Sequence, residues 1–306
     1  MPASLLVLGS VNADLYVAIE RLPLRGETIT GRDTAFRPGG KGANQAAAAS
    51  RLGMATWFVG QVGSDGYAEP LRVALAQSGV HLDLLQGVPG ESGQAFILLQ
   101  EGGENSIIIV SGANHAWREP TAETFARIPQ SGALLLQREV PEAVNRAAAR
   151  AAAVAKVPVV LDAGGADAPL PDDLLPLIAV LSPNETELAR LTGRPTGSED
   201  QVLSAARALQ ARGVGTVLVK LGGRGSLLVP RQGAPIRQDI FPVPVVDTTG
   251  AGDCFTAAYV VALLEGHGEA ERLRFASAAA AVCVQRLGAM PSMPTRSEVD
   301  AMRSGR

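Results

Sequence analysis

The sequence predicts an α/β fold: a Rossmann-like, mostly parallel central sheet flanked by helices, with a small β-sheet lid. Continuous rather than alternating apolar runs recur along the chain, as expected of parallel strands that are buried on both faces. The 34 glycines and 20 prolines fall at short intervals between these runs, a pattern typical of short strands alternating with helices. Because the chain has 306 residues, we expect one large domain over 1–306.

The predicted elements follow one another along the chain. The apolar runs that predict strands of the central sheet are Leu5–Leu8, Thr56–Val59, Ala133–Leu136, Val157–Leu161 and Val214–Lys220. Several predicted helices end near a glycine, the residue that helix C-termini favour. These helices are Gly42–Leu52, Ala68–Gln77, Pro141–Ala155, Asn184–Leu191, Glu199–Ala211, Gly252–Glu265 and Glu271–Leu287.

One part of the chain breaks the alternation of strands and helices. Two β-type runs, Gln94–Gln100 and Asn105–Val110, are joined around Gly102-Gly103, which is a hairpin signal. Together with Ala13–Ile19 and Thr28–Phe36 they predict a small antiparallel sheet. This sheet would form a lid from about residues 12–38 and 91–112.

The last lid strand is apolar on both faces, from Ile107 to Val110, whereas a strand that covers a cleft needs only one apolar face. We therefore predict a homodimer that forms through the lid. The alternative, that both faces are covered within one chain, stays open at this point.

Charge and composition exclude several classes of protein. The chain is 46% hydrophobic and 19% charged, which is in the globular range and excludes a disordered or collagen-like chain. Its formal net charge is −3, without a run of basic residues, so we expect no nucleic-acid partner and no membrane partner. The predicted helix Gly252–Glu265 is shorter than the ~20 residues needed to cross a bilayer. We expect a small-molecule partner.

The cysteines and the first residues indicate the cellular compartment in which we expect the protein. The only cysteines, Cys254 and Cys283, lie in apolar stretches without a CxxC pattern, so they indicate neither a disulfide framework nor a structural zinc site. The first residues lack the basic region of a signal peptide and are expected to form a strand. We therefore expect a cytoplasmic protein.

The most informative motif is the run Asp247-Thr248-Thr249-Gly250-Ala251-Gly252-Asp253. A glycine-rich turn at a helix start exposes unpaired N–H groups that can bind phosphate oxygens or developing negative charge. An acid in the first helical turn is ordinarily a cap. Beside such a turn, however, Asp253 could also accept the proton of a hydroxyl group during phosphoryl transfer.

A second glycine-rich turn, Pro38-Gly39-Gly40-Lys41-Gly42-Ala43-Asn44, also opens a predicted helix. It is not a Walker A loop, because Ala35 and Gly42 occupy positions where that pattern needs Gly and Ser or Thr. Its glycines would let a polyhydroxylated ligand approach the backbone while Lys41 and Asn44 supply donors. The alternative is a tight turn with Asn44 as a local cap.

These two motifs, together with Gly9-Ser10-Val11-Asn12-Ala13-Asp14 after the first strand, resemble the ribokinase family of carbohydrate kinases. The resemblance covers essentially the whole chain and includes Pro183-Asn184-Glu185-Thr186-Glu187 and Leu221-Gly222-Gly223-Arg224-Gly225. It implies an ATP-dependent sugar kinase that phosphorylates the 5-hydroxyl of D-ribose to give D-ribose 5-phosphate and ADP. It also implies Mg²⁺ and K⁺ as cofactors.

The resemblance implies a role for individual residues. Asp253 would be the catalytic base and Gly250, Ala251 and Gly252 the anion hole. The sugar hydroxyls would be bound by Asn12, Asp14, Gly40, Lys41, Asn44, Glu139 and Asp253. ATP would contact Asn184, Glu187, Lys220, Leu221, Gly222, Gly223, Gly225, Gly252 and Ser277, with Asn184 and Glu187 organising Mg²⁺ through water. The monovalent cation would lie beside Asp247, Thr249, Cys283, Arg286, Gly288 and Ser292.

The chain departs from the family pattern at three places. Asp162-Ala163 stands where the family often has Asn-Pro, and Asp162 would add negative charge near the phosphates unless a metal or a lysine offsets it. Arg138 and Ser277 also differ in residue type, beside Glu139 and near the adenine respectively. Without the resemblance, Asn184 and Glu187 would be interpreted as an N-cap and a first-turn acid.

Other functions stay open at the level of sequence. The acceptor could be deoxyribose, a nucleoside or another sugar, since pentose-like acceptors share the hydroxyl contacts. A sensor that binds sugar or nucleotide without turnover is a further alternative, against which the intact Asp253 argues. A dinucleotide-dependent oxidoreductase is disfavoured, because the turn after the first strand lacks the GxGxxG glycines.

Overall fold

The computed structural model describes residues 4–100 and 105–305 and confirms the α/β class. The strands are β1 (Ser4–Leu8), β2 (Asn12–Ile19), β3 (Asp33–Gly39), β4 (Ala55–Val62), β5 (Leu85–Gly87), β6 (Gly93–Gln100), β7 (Asn105–Val110), β8 (Ala133–Arg138), β9 (Val159–Gly165), β10 (Ile178–Ser182), β11 (Thr216–Lys220), β12 (Ser226–Val229) and β13 (Ile236–Gln238). The helices are α1 (Lys41–Arg51), α2 (Ala68–Gln77), α3 (Ala122–Arg127), α4 (Glu142–Val154), α5 (Glu185–Thr192), α6 (Glu199–Ala211), α7 (Ala251–Leu264), α8 (Glu269–Cys283) and α9 (Arg296–Ser304).

The large sheet has nine strands in the order β13-β12-β11-β10-β9-β8-β1-β4-β5. Neighbours from β11 to β5 pair in parallel, and the antiparallel pairs are confined to the β12 and β13 edge. Loops that leave the carboxyl ends of parallel strands meet along one edge, where open α/β sheets bind ligands. The segments after β1, β8, β9, β10 and β11 all reach this edge.

Helices cover both faces of the large sheet. In β1, Leu5 and Val7 belong to one apolar cluster, which includes residues of α1, α7 and α8. Leu6 and Leu8 belong to a second cluster, which includes residues of α4, α5 and α6. Because successive side chains of a strand point to opposite faces, this division explains the continuous apolar run in the sequence.

The structure shifts several element boundaries and adds elements that the sequence did not reveal. The predicted strand Thr28–Phe36 is instead Asp33–Gly39, Val157–Leu161 is Val159–Gly165, and helix Glu271–Leu287 is Glu269–Cys283. The elements without a prediction are β5, β10, β12, β13, α3 and α9. Of these, β5 and β13 have only three residues each.

The small sheet has the strand order β3-β2-β6-β7. The predicted antiparallel pairing is confirmed for β2 with β3 and for β6 with β7. The sheet as a whole is mixed, because β2 and β6 pair in parallel over their full lengths. These strands follow β1 and β5, which are parallel in the large sheet, so both leave it in the same direction. The predicted turn at Gly102-Gly103 lies outside the described residues.

The lid buries one face and exposes part of the other. Tyr16, Ala95 and Ile97 form its small apolar cluster, whereas Ile107 to Val110 are each between 45% and 58% exposed. The alternative that one chain covers both faces of this strand was therefore wrong. In the described part of the chain, no helix has the length and apolarity that a membrane crossing requires.

Candidate active site

The turn before α7 has the geometry of an anion site. Gly250 has φ of 78°, in the left-handed region, and a Cβ at this position would lie 2.9 Å from the Ala289 Cα. A glycine is therefore required there. Helix α7 begins at Ala251, so the N–H groups of Gly252 and Asp253 have no partner within the helix. Both residues line a cavity of about 500 Å³.

Asp253 is buried at the same turn, at 5% exposure. Its Oδ2 accepts from Asn44 Nδ2 at 2.9 Å, and its Oδ1 accepts from Gln45 Nε2 at 3.2 Å. Lys41 Nζ lies 3.8 Å from Oδ1. The N-terminus of α7 has no side-chain cap, so Asp253 is held by α1 and does not act as a cap.

Burial and opposite charges set the ionisation of this pair. Burial raises the pKa of Asp253, an effect that the Lys41 ammonium opposes and that the Asp162 and Glu139 carboxylates reinforce. The Asp253 charge in turn raises the pKa of Lys41, and Glu139 and Asp162 add to that rise. A carboxylate whose pKa lies above its usual value is a better proton acceptor than a surface aspartate.

The second glycine-rich turn opens α1 against the end of β1. Gly40 has φ of 89°, and a Cβ there would lie 2.8 Å from the Asn12 nitrogen. Asn44 does not cap α1, contrary to the alternative interpretation, because its amide reaches Asp253. Asn44 Oδ1 is buried without a hydrogen-bond partner in the described part of the chain. It is thus left to accept from a ligand hydroxyl.

Polar side chains gather on the lid side of Asp253. Asn12 Oδ1 accepts from Asn114 Nδ2 at 2.7 Å, which orients the Asn12 amide. Glu139 Oε2 accepts from Ser10 Oγ at 2.5 Å and from the Lys41 N–H at 3.1 Å. Asp14 is also buried here, at 6% exposure. The side chains on the lid side therefore offer more hydrogen-bond acceptors than donors. Sugar hydroxyls are suitable donors for such a group.

Asp14 is an acid of this group whose pKa is far from its ordinary value. Burial, followed by the charges of Glu139 and Asp253, raises the pKa of Asp14 to about 7. The carboxylate form, which accepts hydroxyl hydrogen bonds, is therefore the minor form at acidic pH.

We expect the KM for the sugar to rise as pH falls through about 7, because protonation removes acceptor capacity from Asp14. The rise should approach about tenfold per pH unit well below the pKa. Steady-state kinetics between about pH 6 and about pH 8.5 tests this. The variant Asp14→Asn is the control: its KM should be higher and independent of pH over this range, and a wild-type KM that is flat would contradict the assignment.

On the other side of Asp253 and Lys41 lies a cavity of about 500 Å³. Its polar end carries Asn184, Glu187, Lys220 and the Gly250–Asp253 turn. The rest is largely apolar, and the residues of that wall are Ile240, Phe241, Val243, Val245, Phe255, Ala280, Ala281 and Val284. Such a combination suits a nucleotide, with the phosphates at the polar end and the base against the apolar wall.

Asn184 and Glu187 form the capping box of α5. Asn184 Oδ1 accepts from the Glu187 N–H at 2.7 Å, and Glu187 Oε2 accepts from the Asn184 N–H at 2.8 Å. The capping interpretation is therefore right for these residues. Both also line the cavity, so capping and ligand binding are compatible.

The loop after β11 forms the next part of the cavity wall. Of the residues that the resemblance implies for ATP, Gly222, Gly223, Gly225 and Ser277 line the cavity, whereas Leu221 does not. Leu221 is buried and its N–H donates to the Gly225 carbonyl at 2.8 Å. It therefore shapes the loop without facing the cavity.

Comparisons with known proteins agree with this geometry. The model of the pfkB family of carbohydrate kinases matches residues 2–296. A curated ribokinase of Arabidopsis thaliana is 51% identical over 301 residues, with 96% of this chain and 79% of the relative covered. The ribokinase of Haemophilus influenzae is 41% identical over 300 residues, with 97% of both chains covered.

The chain belongs to the pfkB family of carbohydrate kinases. The family resemblance inferred from the sequence is thereby confirmed. A solved structure of Arabidopsis thaliana ribokinase complexed with ribose and ATP superimposes on this carbohydrate kinase with a TM-score of 0.95. It is 48% identical, and the match covers 99% of each chain.

Two of the three departures from the family pattern, those at Asp162 and Arg138, have a structural explanation in this kinase. The charge of Asp162 is offset by a lysine, since Lys220 Nζ lies 2.7 Å from its Oδ2. The Arg138 guanidinium donates to the carbonyls of Ala166, Ala168 and Pro169, so it anchors the loop after β9 next to Glu139. Ser277 Oγ donates to the Asp239 carbonyl at 3.1 Å and lines the cavity.

The segment after α8 wraps back beside Asp247. Asp247 Oδ1 accepts from the Thr249 N–H at 2.9 Å and Oγ1 at 2.6 Å, and its Oδ2 accepts from the Gly288 N–H at 2.8 Å. Burial would raise the pKa of Asp247, but these hydrogen bonds and Arg37 hold it below its usual value. Cys283 Sγ lies 3.0 Å from Ser292 Oγ in the same segment, and Arg286 pairs with Glu298.

Sequence reasoning missed several polar residues of this carbohydrate kinase. Gln45 and Thr256 contact Asp253 and Asp162 respectively, and Ser10 and Asn114 orient Glu139 and Asn12. A local signal existed for Gln45, which follows the Gly-rich turn directly. Asn114 carried none, because it lies far from its partner in sequence.

Proposed function

We propose that this chain transfers the γ-phosphoryl group of ATP to the 5-hydroxyl of D-ribose, which gives D-ribose 5-phosphate and ADP. The observation that carries the proposal is the position of Asp253. Asp253 is buried between the hydrogen-bond acceptors on the lid side and the cavity that suits a nucleotide, and it lies next to the Gly250–Gly252 turn. The ribose and ATP named for the Arabidopsis structure support the same substrates here.

In the proposed mechanism, Asn12, Asp14 and the amide of Asn44 orient the sugar so that its 5-hydroxyl points at Asp253. Asp253 accepts the hydroxyl proton as the oxygen attacks phosphorus. The free N–H groups at the start of α7 and the Lys41 ammonium stabilise the charge on the transferred group. Closure of the lid over the sugar would keep water from competing as the acceptor.

Mg²⁺ fits the polar end of the cavity. Among the described residues, no cluster of three His, Cys, Asp or Glu side chains could hold a metal ion. Mg²⁺ commonly binds through substrate phosphates and one or two carboxylates, and it retains several waters. When bound with ATP it would neutralise phosphate charge. Glu187 is the carboxylate that would hold it through water, with Asn184 beside it.

The proposal is tested by ADP release from wild-type protein with Mg²⁺-ATP and a panel of ribose, deoxyribose, fructose and nucleosides. We expect the highest kcat/KM with ribose. A higher value with another acceptor would identify the related kinase that the sequence left open. Binding of ribose and ATP without ADP release would indicate the sensor instead.

We propose that a monovalent cation activates the enzyme from a site beside Asp247. The support is that Asp247 is a half-buried carboxylate whose pKa is lowered. The segment after α8, whose main-chain carbonyl groups are potential cation ligands, lies beside it. The residues involved are Asp247, Thr249, Cys283, Arg286, Gly288 and Ser292. The cation would neutralise Asp247 and hold the Gly250–Gly252 turn in its anion-binding geometry.

Turnover should therefore rise with K⁺ and much less with Na⁺, at constant ionic strength and saturating Mg²⁺. Asp247→Asn is the matched control and should abolish the response. Equal rates in K⁺, Na⁺ and a tetraalkylammonium salt would contradict the site.

We also propose a homodimer in the cytoplasm, formed through the exposed Ile107–Val110 strand of the lid. An apolar edge strand that stays exposed is a pairing site for a second chain. Sedimentation should give twice the mass of one chain, and Ile108→Glu should give one. Val154→Glu is the control, because Val154 is an exposed apolar residue outside the lid. A wild-type chain that sediments as a monomer would refute the dimer.

A further inference from the structure

One buried acid has no part in the mechanism above. Asp162 lies near the carboxyl end of β9 at 1% exposure. Its Oδ2 accepts from Lys220 Nζ and from Thr256 Oγ1, each at 2.7 Å, and its Oδ1 accepts from the Gly164 N–H at 3.0 Å. The carboxylate is thus ringed by donors from three separate elements. These three hydrogen bonds favour the charged form of the carboxylate and fix its position.

The lysine held by Asp162 faces the nucleotide cavity. Lys220 ends β11, and it lines the cavity beside Asn184 and Glu187. It also lies beside the anion turn, because a Cβ on Gly252 would be 3.7 Å from Lys220 Nζ. An ammonium group has three donors, of which one goes to Asp162 Oδ2 at 2.7 Å and a second to Thr256 Oγ1 at 3.5 Å. The third remains for an anion bound at the start of α7.

A second lysine approaches the same carboxylate from the sugar side. A Cβ on Gly164 would lie 2.9 Å from Lys41 Nζ and 3.1 Å from Asp162 Oδ1. Asp253, Lys41, Asp162 and Lys220 therefore form a row of alternating charges. Asp253, Lys41 and Lys220 line the cavity, and Asp162 is buried behind them. In this row the negative charge of Asp162 offsets the repulsion between the ammonium groups of Lys41 and Lys220.

The alternating row explains why an aspartate serves at this position. Burial alone would raise the pKa of Asp162, but Lys220 and Lys41 outweigh it and hold the pKa below its usual value. An asparagine could accept one hydrogen bond from Lys220 but would carry no charge to balance it. A lysine buried without a counter-charge either loses its proton or turns towards solvent.

We propose that Asp162 is a positioning residue for phosphoryl transfer, which fixes Lys220 so that its ammonium group contacts the transferred phosphoryl group together with the turn at Gly252. Lys220 would then be a catalytic residue, and Asp162 acts through it. This inference rests on the proposed function, since it assumes that a nucleoside triphosphate occupies the cavity.

The test compares the single variant Asp162→Asn with the neutral pair Asp162→Asn/Lys220→Gln. We expect the single variant to lower kcat about 10- to 100-fold, by analogy with residues that orient the ligands of a metal site. Its KM for ATP should rise while the KM for ribose changes little. The neutral pair contains no unpaired buried charge, so it should melt near the wild-type temperature yet keep the low kcat.

Two outcomes would overturn the inference. Recovery of both melting temperature and kcat in the neutral pair would mean that the ion pair is only structural. Wild-type kcat and KM for ATP in Asp162→Asn would mean that Lys220 needs no anchor. If the single variant does not fold, a wild-type kcat in the neutral pair still overturns the inference. Asp173→Asn is the matched control, because Asp173 forms ion pairs with Arg146 and Arg150 on the surface.

Calorimetry separates this inference from the proposed function. A non-hydrolysable ATP analogue with Mg²⁺ should bind Asp162→Asn more weakly than wild type, whereas adenosine should bind both equally. This result does not depend on which sugar accepts the phosphate. If the wild-type enzyme does not phosphorylate ribose, the proposed substrate is wrong, but the calorimetric comparison remains valid. Equal affinity for the analogue in both proteins would overturn the role of Asp162.

Discussion

Replacement of Asp253 by asparagine should lower kcat by about 10²–10⁴-fold, the usual cost of losing a general base. The amide cannot accept the hydroxyl proton, although it is nearly isosteric with the carboxylate. Ribose and nucleotide affinities should change far less, because their remaining contacts are retained. Steady-state kinetics together with calorimetric binding of each substrate measures both effects.

The matched control is Asp200→Asn, which changes another acid in the first turn of a helix. If first-turn acids acted only through the helix dipole, both variants would have similar and small effects. We expect Asp200→Asn to be indistinguishable from wild type. A near wild-type kcat for Asp253→Asn would show that the base has been misassigned.

Replacement of Gly250 by alanine should lower kcat by about 10²-fold or more, because the added Cβ would displace the turn whose N–H groups stabilise the transition state. The Cβ would lie 2.9 Å from the Ala289 Cα, and φ of 78° strains any L-residue. The KM for ribose should change little. The measurement is kcat at saturating concentrations of both substrates, with a thermal melt to follow stability.

Gly266→Ala provides the control for backbone strain. Gly266 has φ of 80°, and a Cβ there would meet nothing within 4 Å. Both variants should lose stability from the positive φ, but only Gly250→Ala should lose turnover. Equal kcat losses in the two variants would mean that general destabilisation, rather than the anion turn, sets the rate.

Much of the fold could be predicted from the sequence because the central strands are buried on both faces. In β1 the run Leu5–Leu8 is fully buried, so no polar residue interrupts its apolar pattern. The short edge strand β13 lacks such a pattern. The parallel pairing of β2 and β6 depends on two segments that are distant in the chain, and local periodicity carries no information about it.

The candidate site was predictable where its residues form contiguous turns. The turns at Gly40 and Gly250 each combine glycines with a polar side chain, and both begin helices at the expected places. The contacts between the turns were not predictable: Asn44 could be interpreted as a cap until the structure showed its amide on Asp253. Which group offsets the charge of Asp162 also became clear only from its distance to Lys220.

The position of the phosphate on the product tests the central claim most directly. Wild-type protein would be incubated with ribose and Mg²⁺-ATP, and the sugar phosphate examined by ¹H–³¹P correlation NMR. If Asp253 deprotonates the 5-hydroxyl beside the Gly250–Gly252 turn, the phosphorus should couple to the two hydrogens on C5. Coupling to the hydrogen on C1, or no sugar phosphate despite release of ADP, would contradict the account.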